Sequence, residues 1–226
     1  MDYQLGGAYR PPAGVTIVVR DRHARPAPGA YSICYVNAFQ TQPGARSWWL
    51  GRHPDLVLRF PSGQPVVDRR WGEMLLDTGT PAKRRALAKI VGRWIDGCAA
   101  AGFVAVEPDN LDSWQRSHGL LRRRDNVTFA RLLIRRAHTA GLAIAQKNAA
   151  GLAHQRLFDF AVTEQCQRWS ECGRFTRAYG NQVIEIEYRR RDFDAACRVR
   201  AGRVPIVLRD VALRTPGQRG YRYAAC

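Results

Sequence analysis

A chain of 226 residues with 46% hydrophobic content can bury a full core and is expected to form one domain spanning residues 1–226. Its formal charge is +17 at pH 7, and because Lys83, Lys89 and Lys147 are the only lysines, almost all of the positive charge is arginine. Pairs and triplets such as Arg69-Arg70, Arg122-Arg123-Arg124 and Arg189-Arg190-Arg191 are scattered, which argues against a nucleic-acid footprint, and no apolar run approaches the roughly 18 residues that span a bilayer. The start, MDYQLGGAYR, has neither the charged nor the apolar region of a signal peptide.

The elements follow the pattern of repeated βα units. The first strand expected is Val15 to Asp21, and only DRHARPAPGA separates it from the second, Tyr31 to Asn37, so the first crossover helix is short or missing. A third strand is read at Met74 to Asp77. A helix then starts at the Thr80 cap with Pro81 in its first turn and runs to Gly102, with Leu87, Ile90, Val91, Trp94, Ile95 and Cys98 as its apolar stripe. The fourth strand is Phe103 to Asn110, followed by a helix from a cap at Asp125 to Gly141. Strands at Leu142 to Asn148, Phe158 to Glu164, Gln182 to Tyr188 and Val204 to Asp210 complete the series, with shorter helices between them. Eight parallel strands close into a single (β/α)8 TIM-type barrel of the α/β class.

Functional groups in such a barrel sit at the C-terminal ends of the strands. Acids collect there: Asp21, Asp77, Glu107, Asp109 with Asp112 beyond it, Glu164, Glu187 and Asp210. Asp21 and Asp210 have arginines nearby with which to pair. Alternation puts Phe103, Ala105, Glu107 and Asp109 on one face, and two successive inward carboxylates require a cation, for which Lys147 on the next strand is the candidate. Lys147 is also a candidate partner for Glu185 or Glu187. Asp109 and Glu164 are the expected catalytic pair, since glycosidic cleavage needs one carboxylic acid and one carboxylate. Tyr35, Asn37, Asp77, Glu107, Asn110, Asp112, Lys147, Asn148, Glu187 and Tyr188 are the expected substrate-binding set, with Tyr3, Phe39, Trp71 and Trp114 as further aromatic faces for sugar rings. No cofactor or metal is called for: the six cysteines contain no CxxC, and the histidines lack ligand spacing.

Spacing and neighbouring elements pair Cys166 with Cys172, Cys34 with Cys98, and Cys197 with Cys226, as suits an oxidising compartment.

The segments DYQLGGAY (Asp2 to Tyr9), CYVNAF (Cys34 to Phe39), VEPDNLDS (Val106 to Ser113), QKN (Gln146 to Asn148) and EQC (Glu164 to Cys166) together resemble the family 114 glycoside hydrolases, the endo-α-1,4-polygalactosaminidase and spherulin-4-like group. The resemblance covers essentially the whole chain. It implies a (β/α)8 barrel and a secreted enzyme, its leader already removed, cutting α-1,4-linked galactosamine polymers with Asp109 and Glu164. A retaining mechanism and a monomer with no nucleic-acid or membrane partner are expected. The basic exterior fits a cationic polymer poorly, and two rival readings follow: a carbohydrate-binding barrel without catalysis, and a polyanion-binding protein.

Overall fold

The computed structural model describes residues 1–226, the side chain of Pro43 excepted. The chain begins with a strand that the sequence reading passed over, β1 (Asp2–Gln4), which pairs parallel to β2 (Ile17–Asp21). No helix separates β2 from β3 (Tyr31–Asn37), as expected from the short intervening segment. After β3 the chain makes a long excursion containing α1 (Arg46–Arg52) and a hairpin of β4 (Val67–Asp68) with β5 (Glu73–Met74), before returning through α2 (Pro81–Ala100).

The Met74–Asp77 segment is therefore not a barrel strand. Its apolar residues Met74, Leu75 and Leu76 are buried, but they pair antiparallel with the excursion, Gln40 opposite Leu75 and Val57 opposite Leu76. The remaining strands occur where expected: β6 (Ala105–Asp109), β7 (Ala143–Lys147), β8 (Phe160–Glu164), β9 (Val183–Glu187) and β10 (Ile206–Arg209). With β1 in place of Met74–Asp77, eight parallel strands form the (β/α)8 barrel. A short antiparallel strand, β11 (Tyr223–Ala225), is added at β10. Between the later strands lie α3 (Arg123–Thr139), α4 (Cys172–Tyr179) and α5 (Arg190–Arg200). No helix among the described residues is long and apolar enough to cross a membrane.

Alternation divides the core into two layers. Tyr3, Val19, Ile33, Ala105, Ala145, Phe160, Val162, Ile184, Ile186 and Val207 pack together inside the barrel. Val106, Ile144, Ala161 and Val183 point the other way and meet α2, α3 and α4 through residues such as Leu87, Val91, Phe129, Leu133 and Phe175. Phe103 precedes β6 and belongs to this outer layer, not to the inward face of Glu107. Thr80 caps α2 as expected, its Oγ1 accepting from Lys83 N. Asp125 is not the cap of α3; it lies one turn in and accepts from the backbone N–H of the capping residue, Arg122, at 2.8 Å. All three expected disulfides are present.

Among the described residues no backbone ladder joins β10 to β1, the two ends of the parallel sheet. Arg209 fills that seam. Fully buried, it pairs with the equally buried Asp2 at 2.8 Å and donates to the carbonyl oxygens of Tyr3, Arg214 and Arg222. Arg209→Met leaves Asp2 desolvated without its cation, so stability should fall by about 3–5 kcal/mol, lowering Tm by about 10 °C at this chain length. Thermal denaturation measures this, and an unchanged Tm would show that the seam does not depend on the pair.

Candidate active site

β6, β7 and β8 end side by side and present Asp109, Lys147 and Glu164 to the barrel mouth. Each end is followed by a non-glycine residue in the left-handed region: Asn110 (φ 66°), Asn148 (φ 47°) with Ala149 (φ 57°), and Gln165 (φ 58°). Such residues stop extended structure abruptly, and asparagine tolerates the conformation better than most. The turn at Asn110 aims its own N–H at Asp109 Oδ1, 2.8 Å away, and Asn148 Oδ1 accepts from Glu164 N at 2.7 Å.

Lys147 is the centre of the constellation, its side chain only 1% exposed. Its Nζ lies 2.8 Å from Glu107 Oε1, 3.2 Å from Asp109 Oδ1 and 3.1 Å from Glu164 Oε2. Asp109 Oδ1 and Glu164 Oε2 are therefore less than about 6.3 Å apart, the sum of the last two legs. Three tyrosines complete the shell. Tyr3 OH accepts from Lys147 at 2.9 Å and donates to Glu107 at 2.8 Å, Tyr35 OH donates to Asp109 Oδ2 at 2.7 Å, and Tyr188 OH donates to Glu164 Oε1.

Burial sets the direction of several titrations. Desolvation pushes Asp109 up, but Lys147 and the hydrogen bonds from Tyr35 and Asn110 outweigh it, holding this carboxyl below the usual carboxylate range. Glu107 lies deeper, and there desolvation prevails over Lys147 and raises it. Desolvation likewise disfavours charge on Lys147, but attraction by Asp109, Glu107 and Glu164 keeps its ammonium well above the normal lysine value. Burial, reinforced by the carboxylates, raises Tyr3, Tyr35 and Tyr188, so all three remain hydrogen-bond donors.

An open cleft of about 840 Å³ lies over this group. Tyr35, Asp109, Asn110, Asp112, Lys147, Asn148, Glu164 and Tyr188 line it, so most of the expected set is brought together. Glu107 is buried beneath the cleft, and Asn37 supports it from below, its Oδ1 accepting from Asn110 Nδ2 at 2.9 Å. Two expected binding residues stand elsewhere. Asp77 lies outside the cleft lining, at the entry to α2, where it pairs with Lys83 and accepts from Gly79 N. Glu187 faces outward because Tyr188 faces inward; it accepts from Gln167 N, and desolvation raises it to about 7. Glu185, on the same outward face, is paired with Arg200 at 2.7 Å and not with Lys147. Asp210 does pair with an arginine, Arg214, whereas Asp21 accepts from Gln42. Phe39 is core, and Trp114 packs against it.

The sequence reading also missed residues of the cleft wall supplied by the excursion. Glu73 lines the cleft, is pushed up to about 7 mainly by burial, and accepts from Asn110 Nδ2 at 3.4 Å. Arg116 ties that wall to the loop after β6, reaching Asp68 at 3.0 Å, Asp112 at 2.9 Å and Asn110 Oδ1 at 3.1 Å. Trp169, in the turn after β8, also lines the cleft.

A buried ammonium between carboxylates at adjoining strand ends, with phenols fixing the outer oxygens, suits hydrolysis through paired carboxyl groups. Two solved structures share this architecture. Ega3 of Aspergillus fumigatus, solved in complex with galactosamine, is similar with a TM-score of 0.76 and 21% identity, over 100% of this chain and 94% of that one. The glycoside hydrolase domain of PelA from Pseudomonas aeruginosa is similar with a TM-score of 0.65 and 20% identity, over 96% of each chain. No curated protein matches the chain in sequence. The model of glycoside-hydrolase family GH114 matches residues 1–226, and the chain belongs to that family and is a glycoside hydrolase.

Proposed function

We propose that the protein is an endo-acting hydrolase of α-1,4-linked, galactosamine-containing polysaccharide, working outside the cell as a monomer by a retaining mechanism. The observation that carries this reading is the placement of Asp109 and Glu164 on a single Lys147 ammonium. Asp109 is the nucleophile: Lys147 and the hydrogen bonds from Tyr35 and Asn110 keep it ionised. Glu164, the more exposed of the two side chains at 23% against 17%, is the acid that protonates the leaving oxygen. It then takes the proton from the water that releases the sugar from Asp109. Carboxyl groups about 5–5.5 Å apart accompany retention, whereas roughly 6.5–9.5 Å accompanies inversion; the convergence of one oxygen of each group on a single ammonium, at 3.2 and 3.1 Å, supports the closer spacing. The galactosamine bound to Ega3 supports the substrate class, and the three disulfides fit an oxidising location.

The test is to incubate the protein with α-1,4-linked galactosamine oligomers, free and N-acetylated, and to follow the first anomer released by NMR. Internal cleavage releasing the α anomer is expected, with an acid limb below the usual carboxylate range because Asp109 is depressed. Release of the β anomer would replace retention by inversion. No cleavage of either oligomer by folded protein would overturn the substrate assignment.

A further inference from the structure

Two tryptophans line the cleft with much of their surface in solvent: Trp71, 49% exposed, in the turn between β4 and β5, and Trp169, 59% exposed, in the turn after β8. A lone exposed indole is ordinary, but two on the walls of one concave cleft form an apolar lining that a ligand can cover. An arginine restrains each ring. The Arg70 guanidinium lies 5.2 Å from the Trp71 ring centre and that of Arg168 lies 4.6 Å from Trp169. The Arg168 guanidinium is anchored in turn by Gln165 Oε1 at 2.7 Å, and the backbone of the Trp71 turn is tied by the Arg70 N–H to Asp68 Oδ1 at 3.0 Å. Cation–π contact of this kind orients an indole without burying it.

Topology sets the two rings apart. Trp71 belongs to the excursion after β3 and Trp169 follows β8, with β6 and β7 between them, so they stand three strands apart in a ring of eight. Asp109, ending β6, lies on the Trp71 side, and Glu164, ending β8, lies on the Trp169 side. A chain running from one indole to the other passes across the carboxylate pair.

We propose that Trp71 and Trp169 are the stacking platforms of two outer sugar-binding subsites, one at each end of the cleft, which seat a linear hexosamine polymer so that it is cut internally. The inference rests on the hydrolase reading above. In the galacto configuration the C–H bonds at carbons 3, 4 and 5 share one face of the pyranose ring, giving an apolar surface that matches an indole. The match is one of apolar C–H surface with the indole face, since a guanidinium already stands against each ring.

The test compares Trp71→Ala and Trp169→Ala with the unaltered protein on α-1,4-linked galactosamine oligomers of four and eight units. Both turns are exposed, so each variant should keep its Tm. Each should lose about three- to tenfold in kcat/KM on the octamer, the scale of one aromatic contact, chiefly through KM, and lose less on the tetramer. Trp→Phe at either position should recover most of the loss. Indole N–H signals of Trp71 and Trp169, assigned from the Phe variants, should shift when the octamer is added to Asp109→Asn protein. Octamer kinetics equal to the unaltered protein, an equal loss at both lengths, or unmoved indole signals would overturn the proposal while leaving the hydrolase reading intact. No turnover by the unaltered protein would overturn both.

Discussion

Asp109→Asn and Glu164→Gln should each lower turnover of galactosamine oligomers by about 10²–10⁴-fold while the protein remains folded and still binds the oligomer. The amides keep the shape of the side chains, so Tyr35 and Tyr188 retain an oxygen to donate to. What disappears is the ionisable group, and with it either the attack on the anomeric carbon or the transfer of a proton to the leaving oxygen. Azide separates the two roles in the Ala variants. In Glu164→Ala, azide replaces the base-activated water at the second step, giving a glycosyl azide of retained configuration; in Asp109→Ala it replaces the nucleophile, giving the inverted product. Turnover near that of the unaltered protein in either amide variant would remove that residue from the mechanism and direct attention to Glu107 and Asp112.

Lys147→Met carries the largest expected effect on stability. Met fills much of the aliphatic space of lysine but leaves Glu107, Asp109 and Glu164 converging without the ammonium that lies within 3.2 Å of each. Removing one partner from a buried ionic group typically costs about 3–5 kcal/mol, and three carboxyls around one vacancy place this variant at the upper end. The sign of the pH dependence follows from the same contacts. In the unaltered protein the depressed Asp109 contributes stability that is present above its unfolded value and lost as pH falls through its lower folded value. Without Lys147, desolvation acts on Asp109 with no ammonium against it, so its carboxyl moves upward. The penalty should then be largest at neutral pH and shrink towards pH 4, and the acid limb of any residual activity should shift to higher pH. Urea denaturation at several pH values measures this. Adding Glu107→Leu to Lys147→Met should recover part of the loss, since an apolar pair replaces a half-broken ionic one. A Tm indifferent to the substitution at neutral pH would show that the ammonium is not what holds the carboxylates together.

How far these residues could be read in advance depended on which physical rule governed each. Period-2 alternation at a strand end is local, so Glu107, Asp109, Lys147 and Glu164 were legible from their own segments, as was a cation between the first two. The same rule, applied to Tyr188, places Glu187 outside the barrel, and the charge of Glu187 alone misled. Cys166 and Cys172 were legible for a related reason, since they lie 6 positions apart and chain connectivity alone keeps them close. Other features have no local signature. β1 is three residues long, Asp-Tyr-Gln, and becomes a strand because β2 offers it a ladder and Arg209, 207 positions away, neutralises Asp2. Met74–Asp77 carries the apolar run of a buried strand, but a burial pattern does not state its partner, and antiparallel pairing within the excursion won. The placement of Tyr3 on Lys147 and of Glu73, Arg116, Trp71 and Trp169 on the cleft walls was decided by long-range packing of loops over the barrel mouth, where no periodicity constrains the side chains. The βα pattern and the inward acids and lysine at the strand ends were thus legible, because element pattern and alternation are local rules; the eighth strand, the barrel seam, the cleft walls and the convergence of Asp109 and Glu164 on Lys147 were not, because they arise from contacts between distant segments.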